Sequence, residues 1–152
     1  MPFSLIRFNL IDPTLDSQSL SDRYKAMLDM AEFADQNGFF MATFEEHHGA
    51  DNAWSPTPLM NAGTVLARTT TLSASISALL LPLHDPIRVA EDIAVIDLMS
   101  GGRLTVIFGL GYRPSEYQLM GKDWDNRGKI MDESIQALLC LLYTSPSPRD
   151  QS

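Results

Sequence analysis

Four stretches of this chain open as strands and pass into amphipathic helices at near-equal steps, the strands beginning near residues 3, 39, 72 and 104. A chain with that rhythm has few folds open to it. Each strand reaches the next through a helix, and right-handed crossovers then lay the strands side by side in a parallel sheet covered by helices.

The periods are legible residue by residue. Phe3 to Leu10 reads as the first strand, closed by the turn pair Asp12-Pro13. From Leu20 the apolar spacing becomes helical: Leu20, Tyr24, Met27, Leu28, Ala31 and Ala34 form one stripe, charged residues face away, and Gly38 supplies the C-terminal cap. Phe39 to Phe44 is a nearly continuous apolar run, the pattern of a strand covered on both faces. Ser55-Pro56-Thr57-Pro58 predicts a hydroxyl-capped helix start, with Leu59, Ala62 and Leu66 on the buried side. Leu72 to Leu81 is the third strand, and the small side chains at its end leave room for a ligand to approach the backbone. Asp85-Pro86 starts a helix through Ile87, Ala90, Ala94 and Leu98 that stops at Ser100-Gly101-Gly102. Leu104 to Phe108 is the fourth strand. Pro114 then opens a short helical turn, and Ile130, Met131, Ser134, Ile135 and Leu138 mark a last full helix.

Such a chain is either a doubly wound sheet or part of an eight-stranded barrel. The dinucleotide-binding version of the first fails here: Gly109 and Gly111 follow a strand, but Pro114 and Lys129 stand where the third glycine and the ribose-binding acid belong. A (β/α)8 barrel takes about 250 residues, so four βα units amount to half of one.

Composition narrows the partners. The formal net charge of -8 and pI near 4.6 disfavour nucleic acid and anionic membranes, which both need a basic face. The sequence shows no run of membrane-span length and no secretion signal, so a cytoplasmic location is expected. The one cysteine, Cys140, excludes an internal disulfide and a cysteine-based metal site.

The densest chemistry is FEEHH, Phe44 to His48, where the second strand ends. In parallel α/β folds the carboxyl ends of the strands converge on one rim, and reacting groups gather there. Histidine is the side-chain type suited to proton transfer at neutral pH, which makes His47 the candidate acid/base. His48, adjacent on an extended chain, points the other way and is read as structural. A bare EEHH does not put two ligands on one face as helical HExxH does, so no metal site is expected. Arg88 with Glu91, and Glu116 with Arg127, read as structural ion pairs, while Trp54 and Trp124 have no role beyond packing or loop cover. The stretch 140–152, CLLYTSPSPRDQS, breaks the last helix in mid-pattern and resembles translated sequencing-adapter read-through, which leaves residues 1–139 as the domain.

FEEHH after the second strand, LLLPLHDPIRVAEDIAVIDLMSGGR around the third helix and FGLGYRPSEYQLMG after the fourth strand together resemble the luciferase-like flavin monooxygenase family, over residues 3 to about 139. Members are (β/α)8 barrels of roughly twice this length, so the resemblance implies an N-terminal half-barrel. It implies a reduced flavin at the rim, either FMN, which members use with O2 to oxygenate an organic substrate, or the deazaflavin F420, which moves a hydride. A separate reductase would supply the flavin. By the same resemblance His47 is the acid/base and Glu46 its neighbour, Ser77-Ala78 is a non-prolyl cis peptide against the flavin ring, Gly109 and Gly111 lie beside that ring, and Arg127 lies near the flavin phosphate. Leu110 stands where light-emitting members carry arginine, a departure that sets this chain apart from the luciferase reaction itself.

Two other functions compete with that oxidoreductase. One is a non-catalytic flavin-binding or inert half-barrel whose open edge strands drive homo-oligomerisation. The other is a metal hydrolase, which the Gly-Leu-Gly end of the fourth strand argues against.

Overall fold

The computed structural model describes residues 3–144. Its strands are β1 (Leu5–Phe8), β2 (Met41–Phe44), β3 (Ser73–Leu79) and β4 (Leu104–Phe108), and its helices are α1 (Ser17–Gln36), α2 (Pro58–Arg68), α3 (Pro86–Ser100), α4 (Pro114–Leu119) and α5 (Arg127–Thr144). A 3-10 turn, Leu81–Leu83, follows β3. The strands pair in parallel in the order β1-β2-β3-β4. That order decides between the two architectures. A doubly wound sheet reverses its strand order at a switch point, whereas consecutive neighbours without reversal are the arrangement of a (β/α) barrel, here four units of it.

Phe8, Phe44, Ile76 and Val106 lie in register across all four strands. Phe44 and Ile76 have no exposed surface, and burial of such a side chain contributes about 2 kcal/mol. The stripe on α1 packs as its spacing predicts, with Met27, Ala31 and Ala34 buried and Tyr24 and Leu28 half-buried against the core. Leu80, Leu83 and Tyr117 form a smaller cluster under α4, with Trp124 packed against it.

Element ends follow local chemistry, with corrections; β1 and β3 are each shorter than predicted at both ends, and Leu81 belongs to the 3-10 turn. β2 starts two residues later than predicted, because Phe39 and Phe40 precede it; only the Phe40 backbone joins its neighbours, donating to Ser4 O and accepting from Ser73 N–H. The predicted hydroxyl cap of α2 does not form. Thr57 occupies the cap position with no side-chain bond, and the Ser55 hydroxyl is drawn into the interior, where it accepts from Asn61 Nδ2 at 2.9 Å. α5 continues to Thr144, through the first residues of the predicted tail; the remainder of that tail lies outside the described residues. By contrast, Asp85 caps α3 as expected, accepting from the Ile87 and Arg88 N–H groups, and Gly101 ends it in the left-handed region at φ 68°.

Candidate functional site

β2 delivers Glu45, Glu46 and His47 to the rim in sequence, all three buried. Each carboxylate is committed to a different set of donors. Glu45 Oε1 takes the Arg7 guanidinium from β1, and its Oε2 accepts the Trp54 indole N–H at 3.0 Å. Glu46 Oε1 accepts from His48 Nε2 at 2.8 Å and His84 Nε2 at 2.5 Å, and its Oε2 accepts the Leu80 N–H at 2.5 Å. Burial alone would raise the Glu46 carboxyl, but the hydrogen bonds from His48 and His84, the His84 charge and the Leu80 N–H outweigh it and hold the group at about 2. The same bond to Glu46 outweighs burial at His48 and raises that imidazole above its ordinary value.

His47 turns the opposite way. Its Nδ1 is hydrogen-bonded to Glu116 Oε1 at 2.9 Å, and its backbone N–H donates to Ser55 O at 3.0 Å. The Trp54 ring lies over it with centroids 3.9 Å apart, and Tyr112 meets it edge-on at 5.7 Å. These residues wall an open cleft of about 470 Å³. Its floor is built from small residues of two strand ends: Ser77 and Ala78, joined by a cis peptide bond, and the Gly109–Gly111 loop. A side chain at Gly109 would put its Cβ 2.9 Å from that of Ala78, and Gly111 sits at φ 72°, so both positions keep the floor bare. The Tyr117 hydroxyl fixes this loop by donating to Leu110 O at 2.5 Å. A smaller hollow of about 260 Å³ between the starts of α2 and α3 contains His84 but neither His47 nor the glycine loop.

Six of the seven site residues predicted from sequence therefore meet at one cleft: Glu46, His47, Ser77, Ala78, Gly109 and Gly111. Arg127 does not line it. Its guanidinium lies over the Trp124 ring, 3.8 Å from the centroid, and donates to Trp124 O. The predicted Glu116–Arg127 ion pair is replaced by Glu116 on His47 and Arg127 on Trp124. Arg88 and Glu91 do pair, at 3.6 Å within α3, both exposed. Trp54 proves to be a wall of the site rather than loop cover. Arg7, Tyr112 and Glu116 are also additions. The one local sign for Glu116 is an acid in the first turn after the glycine loop.

Glu46, His48 and His84 also have the composition of a metal site. Their spacing is that of a hydrogen-bond network: the carboxylate oxygen lies 2.5 and 2.8 Å from the two nitrogens, against about 3.4 Å between ligands of a tetrahedral ion. The bare floor and aromatic walls fit a flat ring such as that of a flavin. Among the described residues the only guanidinium lining the cleft, Arg7, is already paired with Glu45, so these residues offer an anionic tail no free cation there.

A parallel half-barrel with a rim cleft, a carboxylate-held histidine and a floor stripped of side chains places this chain among the (β/α)-barrel proteins. The chain belongs to the luciferase-like monooxygenase family, whose model matches residues 1–149. It is 28% identical over 140 residues to the flavin-dependent trigonelline monooxygenase, oxygenase component, of Acinetobacter baylyi, covering 91% of this chain and 38% of that one. The crystal structure of monooxygenase RslO1 from Streptomyces bottropensis superposes with a TM-score of 0.81 at 28% identity, over 91% of this chain and 42% of that one. The oxygenating constituent of 3,6-diketocamphane monooxygenase from Pseudomonas putida, in complex with FMN, has a TM-score of 0.80 over 91% of this chain and 38% of that one; at 19% identity it shows the shared fold. The chain thus spans well under half the length of the relatives it matches.

Proposed function

We propose that this chain is the N-terminal half of a cytoplasmic flavin-dependent oxidoreductase that uses reduced FMN with O2, or F420, on a small organic substrate. The observation that carries the proposal is His47, held by Glu116 at the wall of a cleft whose floor is Ser77-Ala78 and Gly109–Gly111. Bound there, the flavin would supply the electrons. The residues of the chain do the rest. The floor seats a planar ring, Trp54 and Tyr112 flank it with aromatic surface, and His47 moves a proton at Nε2. The length matched against the relatives and the description of one as an oxygenase component support a longer parent served by a separate reductase. The bundled charge of Glu45 with Arg7 favours a substrate without a strong net charge at that wall.

A second reading, a non-catalytic self-associating half-barrel, is favoured by the exposed apolar edge residues Leu5 and Ile107. Anaerobic titration with reduced FMN, and separately with F420, distinguishes the two. Saturable binding of either cofactor, retained in His47→Ala while turnover of the parent falls about 10²-fold or more, is expected. Absence of binding by both cofactors would leave only the second reading.

A further inference from the structure

The Glu116 carboxylate is fully buried, and every donor that reaches it arrives at one oxygen. Oε1 lies 2.9 Å from His47 Nδ1 and accepts the His48 backbone N–H at 3.1 Å, with Arg113 Nη1 3.9 Å away. Oε2 is buried with no partner. A buried carboxylate oxygen left without a donor is unfavourable, and native proteins retain such groups where they have a task. His47 is itself buried, its backbone is held by Ser55 O, and its ring cannot turn from this contact without losing the Trp54 ring beside it.

We infer that Glu116 is a positioning residue that fixes His47 in the tautomer carrying its proton on Nδ1, which makes Nε2 the basic nitrogen. Free histidine favours the opposite tautomer, so an unpositioned His47 would present a donor where a proton acceptor is needed. When Nε2 takes a proton from a substrate, the Nδ1–H stays in place on Glu116 Oε1 and the ring becomes an imidazolium. No proton passes to Glu116. The other charged and titratable groups around His47 are Glu45, Glu46 and His48 on its own segment, Arg7 from β1, Tyr112 from the glycine loop and Arg113 before α4. Glu45 and Glu46 are engaged by other donors, which leaves Glu116 as the carboxylate on this ring.

The inference rests on the acid/base role proposed for His47, but its test needs no cofactor. Long-range ¹H–¹⁵N correlation on the histidine-labelled chain resolves the tautomer of each ring, and single substitutions assign the three histidines. His47 is expected to show a protonated Nδ1 in the native chain. Glu116→Ala is expected to shift it mainly to the Nε2–H form. Glu116→Gln, which keeps an acceptor without the charge, and Glu116→Asp, which keeps a carboxylate, are expected to retain the Nδ1–H form. A native chain whose His47 carries its proton on Nε2 would overturn the inference whether or not Glu116→Ala folds, and so would a folded Glu116→Ala chain that keeps the Nδ1–H form. Loss of flavin binding with the tautomer intact would instead count against the proposed function.

Discussion

Glu46 Oε2 accepts the Leu80 backbone N–H at 2.5 Å, which fastens the end of β2 to the chain two residues past the cis Ser77–Ala78 bond. The contact makes Glu46 part of the frame beneath the cleft floor. It also carries a pH signature. The Glu46 carboxyl is held at about 2 against an ordinary 4.5, so the stability it contributes is fully present above 4.5 and is lost as pH falls toward 2. Urea unfolding of the native chain is expected to lose about 3 kcal/mol across that window relative to Glu46→Gln. Asp12, held low first by the Ser19 hydroxyl, and Asp35, where donors from Thr70 to Leu72 outweigh burial, act in the same direction in both chains. The difference between the two curves therefore isolates Glu46; parallel curves would show that it contributes nothing to acid stability.

Arg103 ties three elements together from outside the site. Its guanidinium donates to Leu66 O in α2, to Thr69 Oγ1, to Leu72 O before β3 and to Ser100 O at the end of α3. Lysine carries three donors on one point and cannot reach four acceptors set around a planar fork. Arg103→Lys is expected to destabilise the chain by about 1–3 kcal/mol, read as a lower urea midpoint at unchanged slope. A midpoint within error of the native one would mean that these carbonyls are satisfied by other groups.

Two glycines separate a role in the floor from mere tolerance. At Gly109 an added Cβ lies 2.9 Å from that of Ala78, closer than real carbon atoms approach. Gly109→Ala is expected to lift the floor and weaken binding of reduced FMN or F420 at least tenfold, with the circular dichroism spectrum retained. At Gly128, in the first turn of α5, nothing lies within 4 Å and the backbone is not left-handed. Gly128→Ala should therefore be neutral or stabilise by up to about 1 kcal/mol. Equal loss of binding in both variants would argue that Gly109 acts through stability alone.

The parts of this molecule that local chemistry dictates were open to inspection in the sequence. Asp85-Pro86 and Gly101 bracket α3, and Phe44 with the four residues after it marks a strand end bearing functional groups. What sequence could not supply was the choice of partners across the rim. Glu116 is 69 residues from His47, and His84 is 38 from Glu46; only the convergence of strand ends brings each pair together. Charge pairing misled where a nearer partner existed, since Arg127 takes the face of Trp124, three residues before it, in place of the distant Glu116. Ser55 failed as part of a helix cap because Asn61 captured its hydroxyl inside the core. The rim pairs are tertiary and no spacing rule along the chain encodes them, whereas Arg127 and Ser55 were captured by neighbours three and six residues away whose side-chain directions spacing alone does not give.

Among the described residues β1 and β4 each pair on one side only, which leaves backbone donors and acceptors open along both edges of the sheet. Leu5 on β1 is 59% exposed and Ile107 on β4 is 52% exposed, so each edge also offers apolar surface. A second copy can satisfy both. If β4 of each copy pairs in parallel with β1 of the other, the contact is twofold, the strands total eight, and eight is the number on which this type of barrel closes. Sedimentation velocity at micromolar concentration is therefore expected to show a dimer or larger species. The double variant Leu5→Lys, Ile107→Lys, which places a charge on each edge, is expected to shift the chain toward monomer with its helix content unchanged. A native chain that sediments as a monodisperse monomer would show that the open edges do not drive association.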